Sequence, residues 1–377
     1  MRAEQPTTGG PPTSCFERLG CEVNRLSVDE LFQRYMQTGF LYPDKLERLA
    51  PFTQEILENW RRAAASPEGL LRVVTYAGAR ERSWASLASW RHTASAWCTQ
   101  HLVSRGDPLA SRAVLLAEQQ AMIEDPEHLS SQNWFRPENR LPQRVFGSII
   151  EHLGADRACA NPLTVFEVPL IGTEVRGPAV ISEVSATSQR QLRDLAVSLR
   201  GHPFVLAEGL DDSDFALNRV NCLYQHAGLF RHRRGWLAHH DGVLVAALVA
   251  YRGPLGLNYS FIENRADLLV ASTCPAELVV AVTGQLVAAA SETYRDFRPG
   301  YVPLFVGERR APLLAAAGLD AIRSYCQTIY LRPSYGRYLD HLESTFARVA
   351  QRAERQQRAS APLSTPRSLE NSALENT

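Results

Sequence analysis

Two stretches of this chain repeat one another: Leu102 to Gly154 and Leu269 to Gly318 each read as strand, loop, helix, strand and second helix. Leu102-Val103 precedes Pro108 by the same interval that separates Leu269-Val270 from Pro275. Downstream, Phe135-x-x-Glu138-x-Arg140-x-Pro142 recurs as Phe305-x-x-Glu308-x-Arg310-x-Pro312. Upstream, Tyr35-Met36-Gln37-Thr38-Gly39-Phe40-Leu41 is echoed by Tyr224-Gln225-His226-Ala227-Gly228-Leu229-Phe230. Three matches in one order predict a duplicated unit whose connections differ in length. With 377 residues, 45% of them hydrophobic, the chain can bury one sizeable core or two ordinary ones, and the duplication favours two.

The periodicities fill in this α/β plan. Helices are expected over 29–42, 46–64, 109–123, 142–153, 188–199, 211–224, 276–295 and 311–317. Strands are expected at 71–76, 134–135, 163–170, 179–184, 204–206, 257–270, 302–306 and 322–331. Asp241-Gly242, between Gly235 to His240 and Val243 to Tyr251, is the clearest hairpin turn. Residues 1–20 and 359–377 read as disordered, 21–172 as a first module, 178–334 as a second, and 335–358 as a polar amphipathic helix.

Forty basic residues balance forty acidic ones, so no global charge steers the chain to nucleic acid or an anionic membrane. The longest apolar run, Val243 to Tyr251, is far short of the roughly 20 residues a membrane helix needs. The start, Met1-Arg2-Ala3-Glu4, carries no apolar signal core, and a cytoplasmic location is expected. The seven cysteines are dispersed without tight pairs, so they read as reduced thiols and imply no metal site.

In the second copy, Trp236-Leu237-Ala238-His239-His240-Asp241-Gly242-Val243-Leu244-Val245-Ala246-Ala247 and Ala311-Pro312-Leu313-Leu314-Ala315-Ala316-Ala317-Gly318-Leu319 resemble the GNAT superfamily of acyl-CoA N-acyltransferases. The resemblance implies two tandem GNAT-like modules, each a mixed, bent sheet flanked by helices and splayed between its fourth and fifth strands. It also implies acyl-CoA or acetyl-CoA as co-substrate and an amine as acceptor. Leu269, Val270, Ser272, Thr273 and Cys274 then fall where the family holds its cofactor, with the pyrophosphate at the start of the long helix. Ser104-Arg105-Gly106-Asp107-Pro108 is the counterpart in the first copy. Neither loop has the family's Gln/Arg-x-x-Gly-x-Gly/Ala signature, whose glycines let backbone approach phosphate.

Acyl transfer to an amine needs a base and a proton for the leaving thiolate. Alternation over 257–270 places Tyr259, Phe261, Glu263, Arg265 and Asp267 on one strand face, which makes Glu263 the candidate base and Tyr259 its catalytic companion. An exposed ion pair of Glu263 with Arg265 is the competing reading. The family's tyrosine acid has no equivalent at Leu313-Leu314-Ala315, leaving Tyr325, Tyr330 or Cys274 as substitutes. Arg231-His232-Arg233-Arg234 reads as a basic run complementing a helix-end dipole, with the cofactor's phosphates or an acidic partner as the alternative. The Phe-x-x-Glu-x-Arg-x-Pro element reads as a Glu–Arg pair fixing a corner. The alternative function is a non-catalytic GNAT-like scaffold serving regulation or protein interaction, with the C-terminal helix as a partner surface.

Overall fold

The computed structural model describes residues 14–77, 83–106, 108–170 and 175–360. The first half carries β1 (Cys21–Val23), β2 (Leu71–Ala77), β3 (Trp84–Arg91), β4 (Ala96–Arg105), β5 (Ser130–Phe135) and β6 (Ala158–Pro169). Its helices are α1 (Cys15–Arg18), α2 (Val28–Gln37), α3 (Pro43–Leu49), α4 (Thr53–Ala64), α5 (Pro108–Glu124) and the short turns α6 (Arg140–Pro142) and α7 (Ile150–Leu153). The second half carries β7 (Val180–Glu183), β8 (His232–His240), β9 (Val243–Arg252), β10 (Ala266–Val270), β11 (Tyr301–Gly307) and β12 (Ala321–Leu331). Its helices are α8 (Gln189–Arg200), α9 (His202–Glu208), α10 (Asn218–His226), α11 (Ala276–Ala290), α12 (Ala311–Ala316) and the terminal α13 (Tyr335–Ser360).

Local chemistry sets most of these limits. Ser14 with Glu17 and Ser27 with Glu30 form capping boxes, so a helical turn starts at Ser14, inside the stretch expected as disordered. Asp241 and Gly242 both take positive φ, as a two-residue hairpin turn of the primed type requires. Phe204-Val205-Leu206, expected as a strand, lies inside α9, where Pro203 starts the helix and Gly209 ends it in the left-handed region. Asp211 to Tyr224 is helical only from Asn218, and the Asp214 carboxylate caps the Asn218 and Arg219 N–H groups.

Among the described residues the strands form one sheet in the order β1-β2-β3-β4-β5-β12-β6-β11-β10-β9-β8-β7. Pairing is antiparallel except at β4–β5 and β10–β11, the same position in each half. The two halves also exchange their last strands. β12 pairs with β5 across Cys326↔Phe135 to Leu331↔Ser130, and β6 pairs with β11 across Tyr301↔Pro169 to Gly307↔Leu163. β6 and β12 pair with each other at the centre, so an approximate twofold relates the halves. In pairing, Leu163 to Leu170 therefore closes the second half and not the first.

One core per copy is not what results. The larger apolar cluster runs through both halves, from Leu31 and Trp60 to Leu286 and Val306, because the exchanged strands make the sheet continuous. A smaller cluster lies between the sheet and α5 and α13, with Val114, Phe146, Tyr338, Leu342 and Phe346. The apolar face of α13 is thus covered by the first half. Gly256 shows how closely the halves approach. Its φ is +81°, a Cβ there would sit 2.4 Å from Ile56, and its carbonyl accepts from Trp60 Nε1 at 2.7 Å.

Candidate functional site

Each parallel strand pair separates toward its C-terminal end. Pairing of β4 with β5 stops at Thr99↔Asn133, although β4 runs on to Arg105; pairing of β10 with β11 stops at Leu268↔Val306. A cavity opens at both divergences, about 440 Å³ in the first half and about 530 Å³ in the second. A third cavity, about 810 Å³, lies beside β7 and the end of α11, away from both. The chemistry of open strand ends, where backbone and side chains converge on a void, favours the two divergences over size alone.

The first cleft is shaped by a bulge. Ser86 faces Val103 and Ala88 faces Gln100, so Leu87 opposes both His101 and Leu102, and His101 takes a φ of +56°. That backbone strain turns His101 into an aromatic cluster, its ring 5.5 Å from that of Trp60 and 4.5 Å from that of Tyr259, which are themselves 5.6 Å apart. Both ring nitrogens of His101 lack a partner among the described residues, and burial pushes its pKa well down. Lys45 and Arg136 also line this cleft, together with Gln100, Asn133, Trp134 and Tyr325. The Lys45 ammonium stands over the rings of Phe40 at 4.3 Å and Tyr259 at 5.6 Å, and burial and Arg136 lower its pKa to about 8.

The second cleft is bounded by Leu268, Leu269, Val270 and Ser272 on one strand and Val306 to Arg310 on the other. Arg200, at the end of α8, lines it with both terminal guanidinium nitrogens unpartnered among the described residues. Arg310 is not paired with Glu308 as the repeated motif suggested. Its Nη2 donates to the carbonyls of Ala271, Ser272 and Cys274, at 2.9, 3.1 and 3.2 Å. One guanidinium thereby gathers the loop's carbonyls before α11, and the Ser272 and Thr273 N–H groups make no backbone hydrogen bond within the described residues. Of the expected cofactor residues, Leu269, Val270 and Ser272 line the cleft, Thr273 is exposed beside it and Cys274 is buried. In the first half the counterpart loop includes Asp107, which lies outside the described residues.

Four antiparallel strands, a helix, a parallel fifth strand and a cleft where the fourth and fifth part now stand twice in the chain. This repeated arrangement is the one that the resemblance to the GNAT superfamily implies for each copy. No protein-family model matches the sequence, and no curated protein matches it. Solved structures similar to it include a Drosophila protein, at 14% identity and TM-score 0.39 over 81% of this chain and 96% of that one. A tandem GNAT protein from the clavulanic acid biosynthesis pathway is similar at 13% identity and TM-score 0.35, over 83% of this chain and 98% of that one. A GCN5-related N-acetyltransferase from Sphaerobacter thermophilus is similar at 14% identity and TM-score 0.35, over 74% and 85%. At such distances the likeness says nothing of activity.

The GNAT-like frame separates the two expected catalytic residues from a shared strand face. Only Ala266–Val270 is strand; Asn258 turns the chain by accepting from Ser260 N at 2.6 Å, Phe261 takes a positive φ, and Ile262–Asn264 is a 3-10 turn. Tyr259 consequently packs in the first module's aromatic stack, where burial drives its phenol pKa well up. Glu263 is 1% exposed, lines neither cleft, and has no hydrogen-bond donor on either carboxylate oxygen among the described residues. Burial raises its pKa to about 7, against weaker pulls from nearby backbone N–H groups and from Arg231 and Arg265.

The Glu263 shift has a measurable consequence. Its folded pKa exceeds the unfolded value of 4.5, so the fold holds this proton more tightly than the unfolded chain. Its contribution is most favourable below pH 4.5 and is lost as pH rises to about 7. Glu263→Gln is expected to gain on the order of 3 kcal/mol over the parent at pH 8 and nothing at pH 4. Urea unfolding of the two proteins across that range checks it; a difference that does not change with pH defeats it.

The basic run 231–234 is also not what its composition suggested. Arg231 and Arg233 are fully buried. Arg233 donates to the carbonyls of Phe215, Glu208 and Gly209, while Arg231 donates to the His92 carbonyl at 2.7 Å and to His92 Nδ1 at 2.6 Å. Of the substitute acids, Tyr325 donates to Ser260 Oγ at 2.7 Å beside the first cleft, Tyr330 donates to the Phe146 carbonyl in the core, and burial pushes the Cys274 thiol up. Lys45 was missed, although a signal was there: it is the only lysine in 377 residues, the remaining basic residues of the forty being arginine.

Proposed function

We propose that the protein is a GNAT-like N-acyltransferase that takes an acyl group from acyl-CoA and passes it to an amine. The observation that supports this best is the open second cleft, lined by Leu269, Val270 and Ser272 together with Arg310 and with Arg200, whose terminal nitrogens have no hydrogen-bond partner among the described residues. In this reading the co-substrate supplies a thioester for attack by the amine. The N–H groups of Ser272 and Thr273, at the start of the 15-residue α11, offer donors to its phosphates, with Arg309 and Arg310 adding charge at the rim. Leu268 to Val270 offer an apolar wall to the acyl chain.

Glu263 and Tyr259, the expected proton acceptor and its companion, line neither cleft, so in this reading they reach the amine's proton only through intervening groups. A pH profile tests them: Glu263→Gln should remove an activity limb near pH 7, and Tyr259→Phe should lower turnover without altering that limb. An unchanged profile in Glu263→Gln takes it out of the chemistry. Binding is tested by thermal unfolding with acetyl-CoA and longer acyl-CoAs. At a hundred times the dissociation constant a bound ligand adds about 2.7 kcal/mol. Arg310→Ala should reduce that gain, and no gain with any acyl-CoA ends the reading.

Arg310 also supports the second reading, a non-catalytic scaffold, since it already holds three loop carbonyls and the phosphate-approach glycines are missing. A loss of stability in Arg310→Ala together with no CoA response in the parent would favour it.

A further inference from the structure

We propose that the first module's cleft binds a small organic carboxylate carried on a flat apolar body, with Arg136 and Lys45 as its charge partners. The inference is independent of whether the second cleft binds acyl-CoA.

The cleft is electrostatically incomplete. Lys45 and Arg136 both line it, and no Asp or Glu stands among the residues lining it. Neither cation has an ion pair within 4.0 Å among the described residues. Arg136 donates from Nη2 to the Tyr42 hydroxyl at 2.6 Å and also interacts with the Tyr325 hydroxyl, both neutral partners, while the attraction it feels from Glu138 comes from a residue outside the cleft lining. Lys45 feels Arg136 as a repelling charge. Two like charges partly withdrawn from water cost free energy unless something of opposite sign answers them.

The neutral polar groups say the same. His101, 5% exposed, has two unpartnered ring nitrogens; Gln100 Nε2 and Asn133 Oδ1 are likewise buried and unpartnered. All three residues line the cleft, and His101 is held there by a bulge at positive φ. Folded proteins satisfy nearly all such atoms, so four enclosed in the wall of one cleft mark a wall whose polar groups the described residues leave incomplete.

The remaining wall selects the ligand's body. Phe40, Trp134, Phe146 and Leu141 line the cleft, and the His101–Tyr259 stack lies at its edge. Rings and aliphatic side chains favour a flat apolar group over a hydrated one. A planar guanidinium fork matches the two oxygens of a carboxylate, and an ammonium serves as the second point. A free dianion such as phosphate would gain nothing from the aromatic wall.

The single lysine makes the test direct. An amine-selective acetylating reagent can modify only Lys45 and the α-amino group, which peptide mass mapping separates. Phenylacetate and hexanoate are the probes, with inorganic phosphate and phenethylamine as controls, all on the full chain. At ten times its dissociation constant a carboxylate probe should slow Lys45 acetylation about tenfold and raise the melting temperature. Arg136→Gln should abolish both effects while leaving any CoA-induced stabilisation intact. Should Arg136→Gln not fold, Lys45→Met read by melting temperature replaces it, and the parent's protection still decides. No protection by either carboxylate, protection that survives Arg136→Gln, or equal protection by phosphate or phenethylamine overturns the proposal.

Discussion

Arg265→Met is expected to destabilise the protein by about 3–5 kcal/mol. Arg265 is wholly buried, and its Nη2 and Nε donate to Glu208 at 2.7 Å and to Asp267 at 2.9 Å. Its guanidinium lies 4.1 Å from the Tyr251 ring and 5.1 Å from that of Trp134. Glu208 completes the chain of charge by meeting His92 Nε2 at 2.6 Å and Gln327 Nε2 at 3.2 Å, and Arg231 donates to the other His92 nitrogen. Burial alone would raise the Glu208 pKa, but Arg265 and His92 outweigh it and hold the carboxyl well below its usual range. The same geometry keeps His92 neutral, with its pKa pushed down by burial to about 3.

Removing Arg265 leaves two buried carboxylates with one neutral histidine and an amide. Against a net stability of roughly 5–15 kcal/mol for a folded domain, that is a large fraction. Arg265→Lys should recover only part of the loss, because an ammonium cannot serve both carboxylates as the fork does. Urea unfolding at pH 7.5 measures both. A loss below about 1 kcal/mol would mean that the carboxylates keep their charge without the arginine, contrary to the pairing described here.

Cutting the chain at the connection between halves, near residue 175, should leave neither piece able to fold as a monomer. β6 has partners only in the second half, β11 and β12, and β12 has partners only in the first, β5 and β6. Separation would strip β5 and β11 of a neighbour and expose edges that are buried along β5 and along β11 except at its two ends. It would also split the larger apolar cluster and part Trp60 from the Gly256 carbonyl. Co-expression of the two pieces should restore a one-to-one complex that melts cooperatively. A monomeric half with its own cooperative melt would show that the exchanged strands are dispensable.

Sequence alone determined the repeat, most helices and the β8–β9 hairpin, because those rest on short-range chemistry: apolar spacing, capping boxes and a turn dipeptide. The resemblance to the GNAT superfamily drew attention to Leu269, Val270 and Ser272, and these three residues line the second cleft. What it could not determine was set by partners far along the chain. Arg231 and Arg233 carry the composition of a surface run, yet a histidine after β3 and carbonyls near α9 make their burial tolerable. Glu263 and Tyr259 looked like neighbours on one strand, until a side-chain turn at Asn258 sent them to different surroundings. Period-two alternation assumes extended backbone, and nothing local announces where a loop ends. Strand exchange was likewise invisible, because β6 and β12 are equally good strands in either half and only the assembled sheet decides which edge each one fills.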